Sequence, residues 1–118
     1  MQRIMLRSKI HRATITEADL AYQGSLGVDR TLLEAADMLP NERIQFVNLA
    51  NGARAETYLI EAPAGSGTIC LNGAAARLGE VGDQIIVFAY CILPDPQART
   101  HTPIIVHVDD HNHIVHNL

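Results

Sequence analysis

The stretch Arg43-Ile44-Gln45-Phe46-Val47-Asn48-Leu49-Ala50-Asn51-Gly52-Ala53-Arg54-Ala55-Glu56-Thr57-Tyr58 decides the fold class. Its first eight residues alternate, with Ile44, Phe46 and Asn48 set against Gln45, Val47 and Leu49, which is the two-residue period of a strand. Asn51-Gly52 follows, and this dipeptide suits the left-handed backbone that a tight turn between antiparallel strands requires. Residues 53–61 then return as a second arm. The centre of the chain therefore reads as a β-hairpin.

Working outward, the same period dominates. Residues 3–15 mix charged and β-branched types and read as one long or two short strands. Residues 68–71 and 84–93 are further strands, the second without alternation and so expected to be covered on both faces. Residues 103–108 add another, and Ile114-Val115 a short last one. Helical signals are few. Asp29 can cap residues 31–38, where Leu32, Leu33, Ala36 and Leu39 recur at helical spacing. Gly73 to Leu78 suits one turn ended by Gly79, and Asp95 can cap residues 97–100. Many short strands with short helices between them point to a small β-barrel.

The chain has 118 residues, 47% of them apolar and 19% charged. That is one domain, residues 1–118, with enough apolar surface to offset chain entropy without a disulfide or metal. Nine basic against thirteen acidic residues give a net charge of −4 with no Lys/Arg cluster, which argues against a nucleic-acid partner. The longest apolar run, residues 85–93, is too short to cross a bilayer as a helix. The N-terminal residues lack the apolar stretch of a signal peptide. Cys70 and Cys91 lie in strand-like runs, and the reading is a reduced, cytoplasmic protein without a disulfide framework.

The familiar cofactor motifs are missing: there is no GxGxxG after a strand, no Walker loop, no CxxC and no HExxH. Five local features remain. Tyr22-Gln23-Gly24-Ser25 places a glycine before a serine between strand and helix; a plain turn is one reading. A backbone strained so that the hydroxyl approaches the preceding carbonyl is the other. Lys9 and His11 stand two apart, about 6.6 Å on a strand, and would share one face as a cationic spot or a solvated edge. Arg54 and Tyr58 lie on one strand face about 13 Å apart at the backbone. An arginine fork suits a carboxylate and a tyrosine hydroxyl can donate a proton. Thr57 should point the other way, so for Thr57 and Tyr58 to serve one site the strand must bulge or end there. Asn72-Gly73-Ala74-Ala75 opens a helical turn whose free backbone N–H groups either receive an anion or simply begin a helix. Last, His101, His107, His111, His113 and His116 crowd the C-terminus. His111-x-His113 has chelating spacing, but a polar tail is the preferred reading and no metal is assigned.

In this order the features resemble the aspartate 1-decarboxylase family, pyruvoyl-dependent enzymes that make β-alanine for pantothenate. The resemblance rests on Lys9-Ile10-His11-Arg12-Ala13-Thr14-Ile15-Thr16-Glu17-Ala18-Asp19-Leu20, Tyr22-x-Gly24-Ser25 and Asn51-Gly52-Ala53-Arg54. Thr57-Tyr58, Asn72-Gly73-Ala74-Ala75-Ala76 and Val81-Gly82-Asp83 complete it. It implies a six-stranded double-psi β-barrel with a few short helices, assembled as a homotetramer with sites between neighbouring subunits.

It implies self-cleavage between Gly24 and Ser25 into residues 1–24 and 25–118, with Ser25 becoming a pyruvoyl group and Thr57 assisting. The pyruvoyl ketone would then form a Schiff base with L-aspartate, with Tyr58 as proton donor. Arg54 would hold a substrate carboxylate, Lys9 and His11 would add positive charge, and Thr57, Asn72 and the Gly73-Ala74-Ala75 backbone would contact substrate. One departure is Ala55-Glu56 after Arg54; Glu56 should point away from Thr57 and leave the site untouched. Two other readings stand beside this one. The first is an unprocessed barrel acting as a binding or regulatory module. The second is a metal-dependent enzyme using the C-terminal histidines.

Overall fold

A computed structural model describes residues 1–23 and 25–116. The central hairpin is present: β4 (Arg43–Asn48) pairs antiparallel with β5 (Arg54–Ala62) from Arg43↔Tyr58 to Val47↔Arg54. Gly52 takes the left-handed φ of 75° that the turn requires. Ile44, Phe46 and Asn48 are the buried residues of β4, as the alternation predicts.

β1 (Gln2–Thr14) is one long strand, flanked by β7 (Gln84–Pro94) antiparallel and β8 (Ile104–His107) parallel. Its register with β7 slips between Leu6 and Ser8 and again between Ile10 and Ala13, where Arg12 has φ 63°. The second slip resets the alternation, so Ile10 and Ala13 both enter the core, and such bulges curve a sheet.

Three further short strands complete the β structure: β2 (Glu17–Asp19), β3 (Leu26–Asp29) and β6 (Ile69–Asn72). The eight strands run β2-β6-β3-β5-β4-β7-β1-β8. The fold is mainly β and barrel-like. Among the described residues the sheet has eight strands in an order that does not close, with the short β2 and β8 at its two edges, so the expected count of six is not confirmed.

β5 joins the two halves by changing partner. It pairs with β4 up to Tyr58 and with β3, in parallel, from Leu59 to Ala62. Between the halves lies one core containing Phe46, Ile10, Leu26, Leu59, Leu71, Ile85 and Val87, each fully buried. Burying each such side chain contributes about 1.5–3 kcal/mol. The expectation that β7 is covered on both faces is corrected: Ile85, Val87 and Ala89 are buried, but Tyr90 and Ile92 on its outer face are exposed.

Helix α1 (Arg30–Ala35) is capped by Asp29, whose carboxylate accepts from Thr31 N at 2.8 Å. It is shorter than expected because Asp37 turns left-handed at φ 55°. Helix α2 (Asp95–Ala98) contains Asp95 rather than being capped by it; that carboxylate bonds Arg3 and Arg99 instead. Gly73–Leu78 forms a 3₁₀ helix, and its far end is fixed by Asn48, whose buried amide donates to Leu78 O at 3.1 Å. Gly79 is required at this junction, since a Cβ there would lie 2.8 Å from Asn48 Nδ2.

Candidate functional site

Strand register assembles the candidate residues. β3 pairs antiparallel with β6 as Leu26↔Leu71 and parallel with β5 as Leu26↔Leu59. Ser25 immediately precedes Leu26, and on the flanking strands Asn72 follows Leu71 and Tyr58 precedes Leu59. The Asn72 backbone N–H donates to the Ser25 carbonyl oxygen at 2.8 Å, which continues the β3–β6 ladder to that row. Leu26 and Val28 point into the core, so Ser25 and Gly27 belong to the opposite, outer face. Ser25 is only 6% exposed and Asn72 only 4%, whereas Tyr58 is 44% exposed. Gly24 lies outside the described residues.

Gly73, Ala74 and Ala75 follow Asn72 directly as the start of the 3₁₀ helix, with Gly73 at φ 58°. They are therefore adjacent to Ser25 along the chain of contacts. The carboxylates of Glu17 and Asp19 on β2, with Tyr22, Gly27, Ile60, Cys70 and Asn72, line a cleft of about 240 Å³ on this face.

Along β5, Arg54, Glu56 and Tyr58 are exposed on the outer face and Thr57 is half-buried on the inner one, opposite Ile44. No bulge separates Thr57 from Tyr58. Nor does the strand end there: β5 continues to Ala62 and only changes partner from β4 to β3 after Tyr58, so within one chain Thr57 and Tyr58 face opposite sides. The Arg54 guanidinium carbon lies 5.9 Å from the Phe88 ring centroid, a cation–π contact that orients the fork. Glu56 does point away from Thr57, but it shares the face of Tyr58, where Arg43 pairs with it at 3.1 Å. That neutralises an acidic group close to the proposed carboxylate subsite.

Lys9 and His11 are on the same outer face but at a distance. Lys9 is opposite Phe88, Phe88 opposite Gln45, and Gln45 opposite Glu56. Three strand spacings separate β1 from β5, about 14 Å along the sheet. One chain thus brings together Ser25, Asn72 and Tyr58, with Arg54 further along β5, and leaves Lys9 and His11 apart.

The surroundings of His11 bear on its charge. Burial, then the neighbouring Lys9, His107 and Arg12, push its imidazole below the ordinary 6.5. Its ring meets His107 edge-on at 5.6 Å, across the β1–β8 register pair His11↔His107.

At the C-terminus, His111 and His113 have ring centroids 6.4 Å apart, and no group of three or more metal-ligating side chains occurs among the described residues. Three residues of the site escaped sequence reasoning: Arg43 opposite Tyr58, Phe88 under Arg54, and Cys70 beside Asn72. The first two depend on cross-strand register, for which a single sequence carries no signal, whereas Cys70 and Asn72 share one face of β6 two residues apart, a relation the strand period could have given.

The architecture is that of a small, barrel-like β domain that sets a serine at the head of a short buried strand. Residues 1–115 match the aspartate decarboxylase family, and the chain belongs to it. It is 55% identical over 112 residues to aspartate 1-decarboxylase of Thermoanaerobacter pseudethanolicus, spanning 95% of this chain and 96% of that protein. It is 60% identical over 111 residues to the enzyme of the same name from Caldicellulosiruptor saccharolyticus, spanning 94% and 87% respectively. The corresponding protein of Listeria monocytogenes is 57% identical over 114 residues, spanning 97% and 90%.

Proposed function

We propose that this chain is a self-processing aspartate 1-decarboxylase, converting L-aspartate to β-alanine and CO₂ as a supply for pantothenate. The observation that supports the reading is the 2.8 Å Asn72 N–H to Ser25 O bond beside β3, whose first residue, Leu26, pairs with the residue after Tyr58.

Ser25 Oγ attacks the Gly24 carbonyl carbon, the Gly24–Ser25 C–N bond breaks, and an ester with a free Ser25 amine results. Loss of the Ser25 α-proton expels the Gly24 carboxylate from Cβ and leaves dehydroalanine. Water then replaces the nitrogen, ammonia departs, and a pyruvoyl group caps residue 25. Serine suits both steps because its oxygen is nucleophile first and leaving group second. Residues 1–24 remain bound after cleavage, since β1 pairs on both edges and β2 pairs with β6.

The residues around Ser25 fit such a group. Gly27 on the same face has no side chain to crowd it. When formed, the pyruvoyl group supplies an electrophilic ketone that withdraws electrons as carbon dioxide leaves. Tyr58 returns a proton to the substrate α-carbon, and the Arg54 fork holds a carboxylate. Thr57, Asn72 and the Gly73-Ala74-Ala75 backbone position the substrate.

Lys9 and His11 reach the centre from a neighbouring copy in a homotetramer. What supports assembly is the apolar outer face, where Ile4 (76% exposed), Ile92 (67%) and Tyr90 border a cleft of about 600 Å³. No helix among the described residues is long and apolar enough to cross a membrane; the cytoplasm is the proposed location.

The test is decarboxylation of isotopically labelled L-aspartate by the chain and by Ser25→Ala. The chain yields β-alanine and is inactivated by carbonyl-trapping reagents, and Ser25→Ala yields none. β-Alanine from Ser25→Ala would overturn the proposal.

A further inference from the structure

Arg54, Glu56 and Tyr58 stand in a row on the outer face of β5, and the Glu56 carboxylate is its middle member. Neighbours in such a row are about 6.6 Å apart at the backbone. Glu56 is thus close to both residues between which a dicarboxylate substrate would lie, and it meets that substrate with like charge. It is also an internal carboxylate within reach of the Arg54 fork. Neither group occupies the other. Among the described residues Arg54 enters no ion pair and lies instead over the Phe88 ring. Glu56 is held by Arg43, whose Nε is 3.1 Å from its Oε1. Arg43 is the β4 partner of Tyr58, and Gln45 the partner of Glu56, so the contact runs diagonally toward the Tyr58 end of the row. The two side chains are 82% and 49% exposed, and an exposed pair of this kind contributes little to folding.

We infer that Arg43 is a specificity-determining residue for a dianionic substrate, its guanidinium drawing the Glu56 carboxylate away from Arg54 and cancelling its charge. The inference rests on the proposed reaction and on Arg54 as the carboxylate fork. Without Arg43, Glu56 opposes the substrate twice: it repels it, and it competes for the same fork. At about 6.6 Å, two unit charges in water change an equilibrium by about threefold, and by more where solvent is partly excluded. Salt weakens the effect at an exposed site, because the Debye length falls from about 30 Å at 0.01 M to about 8 Å at 0.15 M.

The experiment compares the unaltered chain, Arg43→Gln and the double variant Arg43→Gln, Glu56→Gln at about 0.01 M and about 0.15 M ionic strength. KM and kcat for L-aspartate are measured for each, with the calorimetric dissociation constant of succinate, a dicarboxylate without the amine. Arg43→Gln is expected to raise KM and the succinate constant about three- to tenfold at the lower salt, with kcat and the thermal midpoint close to those of the parent. Adding Glu56→Gln is expected to return both constants to within about twofold of the parent, and the effect of Arg43→Gln is expected to shrink at the higher salt. Unchanged constants in Arg43→Gln, a double variant as impaired as the single one, or a difference indifferent to salt would overturn the inference while leaving the proposed function intact. An unaltered chain that releases no CO₂ from L-aspartate would overturn both.

Discussion

The Asn72 backbone N–H lies 2.8 Å from the Ser25 carbonyl oxygen, and this bond ties the start of β3 to the end of β6. It makes Ser25 part of a ladder rather than of a free loop. Tyr58 immediately precedes Leu59, the β5 partner of Leu26, so under the proposed function processing and proton delivery would draw on neighbouring strands.

Tyr58→Phe separates these two uses. The ring and its packing remain, so self-cleavage should proceed at near the parent rate. Turnover should fall by about 10²–10⁴, the range for loss of a positioned general acid. Steady-state release of CO₂ measures it, and undiminished turnover would assign the proton to another donor.

Arg54→Gln removes the fork but retains length and a donor. KM for L-aspartate should rise by about 10–100-fold with cleavage unaffected, since a charge-assisted pair is lost from substrate binding alone. Equal loss from kcat and kcat/KM would place Arg54 in the transition state instead.

His11 should titrate below 6.5, because burial, Lys9, His107 and Arg12 all disfavour its charged form. The sign follows from linkage: the unfolded state holds more protons between the lowered value and 6.5. Stability from this group therefore grows as pH rises through that interval and is flat above it. Imidazole NMR titration measures the midpoint; a value above 6.5 would contradict this.

Asp29 is 1% exposed, and its carboxylate accepts from Thr31, Gly65 and Gly67 N–H at 2.8–2.9 Å. Burial alone would raise its titration, but these backbone donors outweigh it and hold the carboxyl below the ordinary 3.8. Asp29→Ala should cost about 3 kcal/mol near neutral pH, through a lost cap and orphaned N–H groups. The difference should shrink as pH falls through the lowered value. Denaturant unfolding in an uncut Ser25→Ala background measures it as a single-chain transition, and an undiminished difference in acid would contradict the account.

The hairpin at Asn51-Gly52 and the capped helix at Asp29 were legible because local chemistry alone specifies them. β2 and β3 were not. Glu17–Asp19 is exposed throughout and Leu26–Asp29 buried throughout, so neither alternates, and each exists only because a distant strand lies beside it. The bulges that return Ala13 to the core have no signature in residue type either. At the site, Ser25 followed an unremarkable Gly-Ser dipeptide, and only the family resemblance singled it out. Arg43 opposite Tyr58 and Phe88 under Arg54 are consequences of register, which the period of a pattern does not encode across strands.

Intact mass of protein purified from its own host is the most direct measurement. The account predicts two polypeptides, residues 1–24 and 25–118, the larger lighter than a serine-initiated chain by the mass of ammonia. A single uncut chain that decarboxylates L-aspartate would contradict it.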